Sequence, residues 1–183
     1  ENNGVIKRDE VKKILDNLEQ SERQILRNIG VKFGRYHIFL YKLFKPSSVS
    51  LRILLWKNYF QKYYNLHPPS FGLNFFEDKK NINKDFMLLC GFENFGKIFV
   101  RIDILERLFL MILNSTKENL KEQKETKLTP EMLNLLGCNK ENFIKLINKM
   151  NYKTFEKEKD IFFKYVLIKK KFKANKSNIK SID

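Results

Sequence analysis

Between Gly30 and Pro46 the chain reads GVKFGRYHIFLYKLFKP, and the parity of its apolar residues changes partway along. Val31 and Phe33 take odd positions, whereas Tyr36, Ile38 and Leu40 take even ones. Side chains of a strand alternate between faces, so one unbroken strand cannot keep both sets on one side. Gly34-Arg35 must interrupt it, as a bulge or as a two-residue hairpin turn. Glycine in the first turn position suits type II′, which predicts Phe33 opposite Tyr36 and Val31 opposite Ile38. In that hairpin Val31, Phe33, Tyr36 and Ile38 face the core, Lys32 and His37 share the other face, and Arg35 sits at the tip.

The flanks are helical in period. From Arg8 to Ile29 the residues Val11, Ile14, Leu15, Leu18, Ile25, Leu26 and Ile29 recur at helical spacing. Ser21 with Gln24 fits a capping box, which divides this stretch into two helices and leaves Gly30 as the stop. Pro46, Ser47 and Ser48 open a helix to about Tyr64 that is apolar on most sides and therefore expected at the centre of the fold. The segment from His67, HPPSFGLNFFEDKKN, reads as a long loop. Asn83 caps a short helix ending at Gly91, KIFVRI from Lys97 reads as a strand, and a helix follows from about Asp103 to Asn114.

NSTKENLKEQKETK is nearly all polar and marks a frayed helix end or a linker. Beyond it, Thr129-Pro130-Glu131 starts a helix, Gly137 stops it, and Asn139 caps another whose apolar face is Phe143, Ile144, Ile147 and Met150. IFFKYVLI from Ile161 reads as a strand, and the basic tail as disordered. The expectation is an α+β chain, mostly α-helical, with a short β-hairpin and a few more strands. Residues 1–115 form the main unit, 116–127 a polar linker or helix extension, 128–168 a small helical module with a terminal strand, and 169–183 the tail.

Composition narrows the function classes. The 183 residues carry 36 Lys and Arg against 21 Asp and Glu, a net charge of +15, which attracts polyanions whatever the fold. Lys, Asn, Ile and Phe are also the residues that AT-rich coding favours, so coding bias is the alternative source of that excess. Cys90 and Cys138 are the only cysteines and form no C-x-x-C pair, so neither a disulfide framework nor a zinc-finger spacing is present. A reducing, cytoplasmic setting is expected. The longest apolar run, Leu108 to Leu113, is far short of the roughly 20 residues that span a bilayer. A chain that starts at Glu1 without Met is expected to be part of a longer one.

Three motifs invite catalytic readings, and each has a plainer one. Gly91 to Lys97 matches the first seven positions of the phosphate-binding loop G-x-x-x-x-G-K-(S/T). Ile98 replaces the hydroxyl that holds Mg²⁺, and a helix precedes and a strand follows, the reverse of what that loop requires. A Gly-bounded helix-to-strand turn is expected instead. Asp103 and Glu106 stand three apart on a helix, as paired acid-base carboxylates would, but Arg101 and Arg107 flank them and Arg107 lies four beyond Asp103, which favours a solvated ion-pair face. His37, His67, Cys90 and Cys138 are too scattered in sequence to suggest a metal site or a nucleophile-base dyad. His37 is expected on a strand surface, and both cysteines as small buried residues. No catalytic residue and no metal ligand is assigned.

The strongest signal is an absence. No Asp or Glu occurs between Glu22 and Glu77, while Arg23, Arg27, Lys32, Arg35, Lys42, Lys45, Arg52, Lys57 and Lys62 all do. Tyr36, Phe39, Tyr41, Phe44, Trp56, Tyr59, Tyr63, Tyr64 and Phe71 interleave with them. Cations displace counterions from phosphates and exposed rings stack on unpaired bases, so single-stranded RNA or DNA is the expected ligand. Lys32, Arg35, Lys42, Lys45 and Arg52 are the candidate phosphate contacts, with Tyr36 or Tyr41 stacking.

Three stretches also resemble one family. LRNIGVKFGRYHIFLYKLFKPSSVSLRILLW, Leu26 to Trp56, resembles a block with consecutive G-V-x-F-G, I-F-L, L-x-K-P and L-W. CGFENFGKIFVRIDILERL, Cys90 to Leu108, resembles a Gly-Phe/Tyr turn followed by R-x-D-x-L-E-R-L. LTPEMLNLLGCNKENFIKLINKMNY, Leu128 to Tyr152, resembles a terminal module with T-P-E-M and L-x-G-C. With the loop PPSFGL these stretches lie in order over most of residues 10 to 152. They are similar to the C-terminal region of bacterial superfamily 2 RNA/DNA helicases related to the mitochondrial degradosome helicase, the suppressor-of-Var type. The resemblance implies a parent that uses ATP and Mg²⁺ in two motor lobes upstream, with those lobes and a nuclease as candidate protein partners. The chain has no intact phosphate-binding loop, no D-E-x-H box and no arginine finger motif, so none of the family's catalytic residues carries over.

Overall fold

The computed structural model describes residues 4–61, 64–78, 81–118 and 125–166. Within them the chain is α+β, with seven α-helices and three antiparallel sheets of three strands each. The first sheet joins β1 (Val5–Lys7), β2 (Val31–Phe33) and β3 (His37–Leu40); the second joins β4 (Phe75–Glu77), β5 (Phe92–Phe95) and β6 (Ile98–Arg101). The third joins β7 (Glu125–Lys127), β8 (Tyr152–Lys157) and β9 (Asp160–Tyr165). All three are built alike. Each is a hairpin whose second strand takes the earlier, three-residue strand on its free edge.

The Gly30–Pro46 hairpin exists, but its register differs from the type II′ expectation by two residues. Val31 pairs with Leu40, Lys32 with Phe39 and Phe33 with Ile38, so Gly34, Arg35 and Tyr36 all belong to the connection. Gly34 N–H donates to the His37 carbonyl at 2.8 Å. The faces are inverted as well. His37 and Phe39 are the buried side, with Val5 beside Phe39 across β1, while Val31, Phe33 and Ile38 are only half-buried.

Two short helices, α1 (Lys12–Asn17) and α2 (Gln20–Asn28), precede this hairpin. Their junction is capped by Glu19 and Glu22 rather than by Ser21 and Gln24: each carboxylate receives the other residue's backbone N–H, a charged version of the expected box. Gly30 follows with φ of 103°, the left-handed stop expected of it.

After a 3-10 turn at Tyr41–Phe44, α3 spans Pro46–Phe60. It is not central. Val49 and Ile53 are buried, but Leu51, Leu54, Leu55 and Tyr59 are 55–82% exposed. These four recur at i, i+3, i+4 and i+8, a second apolar stripe that no described residue covers. Lys62 and Tyr63 lie outside the described residues.

The loop after His67 contains β4, and the Gly91–Gly96 stretch is strand β5 rather than a turn. α4 (Lys84–Leu89) begins as expected at Asn83, whose side chain accepts the Phe86 N–H at 2.9 Å. α5 runs Ile102–Glu118, and the end of the expected linker is strand β7. α6 (Pro130–Leu136) and α7 (Lys140–Lys149) lead into a β8–β9 hairpin where one terminal strand was expected. The tail at 169–183 lies outside the described residues.

The largest apolar cluster crosses the expected boundary. Val100, Leu105 and Leu108 from β6 and α5 pack in one core with Met132, Phe143 and Phe163 from the C-terminal elements. A second cluster gathers Val49, Ile53, Phe86 and Phe99 under α3, and a third joins Val5, Phe39 and Ile102.

Candidate nucleic-acid interface

α5 places two carboxylates against the preceding elements, and neither forms the solvated ion-pair face expected from Arg107. Glu106 is 6% exposed and accepts the backbone N–H groups of Arg35 at 2.5 Å, Tyr36 at 2.9 Å and His37 at 2.8 Å. It thus satisfies three consecutive backbone N–H groups, Arg35 to His37, from beneath. Gly34 is the residue that permits this: a Cβ there would lie 2.3 Å from the Glu106 Cδ. Its φ is not positive, so the glycine serves close approach rather than turn geometry.

His37 is correspondingly buried, 2% exposed, and not on a strand surface. Its Nε2 lies 2.8 Å from Glu93 and its Nδ1 3.3 Å from Glu106, while Lys7 reaches Glu93 at 3.3 Å. Burial works against the imidazolium, but the hydrogen bonds to Glu106 and Glu93 outweigh it and hold His37 above its ordinary value. Burial likewise opposes the Glu93 charge, and His37 and Lys7 hold that carboxyl below the usual range. The arrangement ties β1, β3, β5 and α5 together.

Asp103 pairs with Arg101, not Arg107: Nε to Oδ1 at 2.7 Å and Nη2 to Oδ2 at 2.6 Å, a two-point ion pair at the junction of β6 and α5. This pair borders a groove of about 180 Å³ whose walls include Tyr41, Lys45 and Phe71. Tyr41 is 49% and Phe71 58% exposed. The groove therefore combines two open rings, an exposed ammonium and a guanidinium, with its only carboxylate among the described residues already neutralised.

The candidate phosphate contacts divide between places. Lys42 and Lys45 are exposed on either side of Phe44, in the 3-10 turn and just before α3. Lys32 is exposed on edge strand β2. Among the described residues none of Lys32, Arg35, Lys42 and Lys45 has a carboxylate partner. Arg35 instead lies over the Phe109 ring at 5.5 Å. Tyr36 packs edge-to-face on Phe109 at 5.2 Å and hydrogen-bonds Tyr152, and burial pushes its phenol upward, so its ring serves packing rather than stacking on a base. Arg52 is half-buried and donates to the Leu43 carbonyl at 3.1 Å, where desolvation lowers its pKa; it braces α3 on the 3-10 turn.

Gly91 to Lys97 holds no phosphate-loop geometry. The residues between the glycines pair with β6, and Lys97 offers its carbonyl to the Asp78 N–H at 2.6 Å. Cys90 is buried and Cys138 half-buried, and burial raises their thiols to about 12 and about 11. Among the described residues no group of three or more His, Cys, Asp or Glu side chains is placed to hold a metal ion, and no helix is long and apolar enough to cross a membrane. Arg101 and Phe71 also line the groove, Arg101 from the last position of β6, directly before α5. Compared with family models, curated proteins and solved structures, the chain has no match.

Proposed function

We propose that this chain is a non-catalytic accessory region of an ATP-dependent RNA/DNA helicase, which binds and guides single-stranded nucleic acid. The observation that carries the binding is the groove in which Tyr41, Phe71 and Lys45 meet beside an internally neutralised Arg101–Asp103 pair. Open rings take unpaired bases, and Lys42 and Lys45 on the same short segment take phosphates by displacing counterions. The acid-free run from Arg23 to Phe76 leaves nothing nearby in sequence to repel the strand. The helicase context rests on the resemblance; on this reading ATP and Mg²⁺ belong to the motor lobes, and the chain alone neither hydrolyses ATP nor unwinds.

The test is fluorescence anisotropy with a single-stranded oligonucleotide across a salt series. Affinity falls with rising salt, and Lys42→Glu with Lys45→Glu weakens binding and flattens the log–log slope by roughly 0.7 for each phosphate no longer neutralised. No binding at roughly 50 mM salt, or an unchanged slope in the double variant, overturns the reading.

The outward stripe of α3 favours a second reading, a protein-docking module for the motor lobes or a nuclease partner. Leu51, Leu54, Leu55 and Tyr59 form an i, i+3, i+4, i+8 surface of the kind that receives an amphipathic partner. A cleft of about 1170 Å³ beside it is lined by Leu55, Trp56, Tyr59 and Phe60 together with the charged side chains of Lys7, Glu10, Arg52 and Asp85. Co-purification with separately expressed motor lobes, abolished by Leu51→Glu with Leu55→Glu and insensitive to added RNA, would select it.

A further inference from the structure

Arg101 is held in one orientation with part of its donor edge unused. Nε and one Nη2 hydrogen go to Asp103, which also accepts the Ile104 N–H at 3.0 Å and so is itself fixed. That leaves both Nη1 hydrogens and the second Nη2 hydrogen, and among the described residues nothing accepts them. The side chain is 30% exposed. A guanidinium aligned by a carboxylate presents two parallel N–H donors at a fixed spacing. Two acceptors at that spacing are the O6 and N7 atoms of guanine, the pairing arginine makes most often with a base.

The walls fit a base rather than a phosphate alone. Beside Arg101 stand the exposed rings of Tyr41 and Phe71 and the flat apolar faces of Pro68 and Pro69. At about 180 Å³ the groove is smaller than the sites that take drug-sized molecules, which suits one ring system. Lys45 lies on the rim for the adjoining phosphate.

We propose that this groove takes a single unstacked guanine, with Arg101 reading O6 and N7, Asp103 as positioning residue, and Tyr41 and Phe71 stacking. The inference rests on the nucleic-acid reading above and adds base preference to it. Adenine offers a donor at the position of O6, and uracil lacks the N7 acceptor, so neither satisfies both donors.

Anisotropy on the full 183-residue chain tests it with four oligonucleotides of about a dozen nucleotides. One is a uridine tract, and the others carry one central guanosine, inosine or 7-deazaguanosine. The guanosine strand binds about tenfold tighter than the uridine tract. Inosine, which keeps O6 and N7, matches guanosine, and 7-deazaguanosine falls back toward uridine. Arg101→Lys keeps the charge and brings the guanosine strand down to the affinity of the uridine tract; Phe71→Ala, at an exposed site, weakens all four strands. Equal binding of guanosine and uridine strands, or of guanosine and 7-deazaguanosine, overturns the base pocket alone. Loss of binding to every strand at low salt overturns the nucleic-acid reading and the pocket with it.

Discussion

Glu106 accepts the backbone N–H of His37 at 2.8 Å and meets its imidazole Nδ1 at 3.3 Å, although 69 residues separate the two in sequence. One buried carboxylate thereby shapes the connection of the first hairpin. Its oxygens replace the water that Arg35, Tyr36 and His37 would otherwise need, and this explains a register that turn statistics alone do not give.

Removing that carboxylate leaves buried donors without partners, each costing roughly 1–3 kcal/mol. Glu106→Ala lowers unfolding free energy by about 4 kcal/mol in a denaturant titration, and Glu106→Gln, which keeps an acceptor, by less. Gly34→Ala reaches the same site from the other side by forcing a Cβ against the Glu106 carboxyl, at about 2 kcal/mol. If Glu106→Ala unfolds at the wild-type midpoint, the carboxylate does not organise the hairpin.

The His37–Glu93 contact sets a stability window in pH. His37 is raised above its usual 6.5, so its contribution is complete below that value and is lost as pH rises through the raised one. Glu93 is lowered below its usual 4.5, so its contribution is complete above that value and is lost as pH falls through the lowered one. Together they support the fold most between pH 4.5 and 6.5. Unfolding free energy measured upward from there declines through this group as pH passes the raised His37 value. His37→Asn removes that decline; a variant that retains the wild-type pH profile would show that other groups cause it.

The two stripes of α3 respond differently to truncation. Ile53→Ala opens a cavity against Phe86 and Phe99 and costs about 3 kcal/mol. Leu51→Ser with Leu55→Gln, both at exposed positions, changes stability by less than about 0.5 kcal/mol. Thermal denaturation of the two variants gives the comparison, and a large loss in the outward pair would mean the chain itself covers that stripe.

Local chemistry made the helices legible. A run of α3 or α7 length carries several turns of apolar period, and Asn83, Asn139, Gly30 and Gly137 mark ends through bonds made within a few residues. The acid-free run is equally a property of the string, and so is the excess of positive charge. Tertiary structure decided what depends on partners far along the chain. Three-residue strands such as β1, β4 and β7 are too short to show a period, and exist because a hairpin edge was there to pair with them. The hairpin register and the burial of His37 follow from where α5 lies. α3 shows the division most plainly: its composition is apolar on most sides and read as a central helix, but only the packing tells which side the chain buries and which it leaves open.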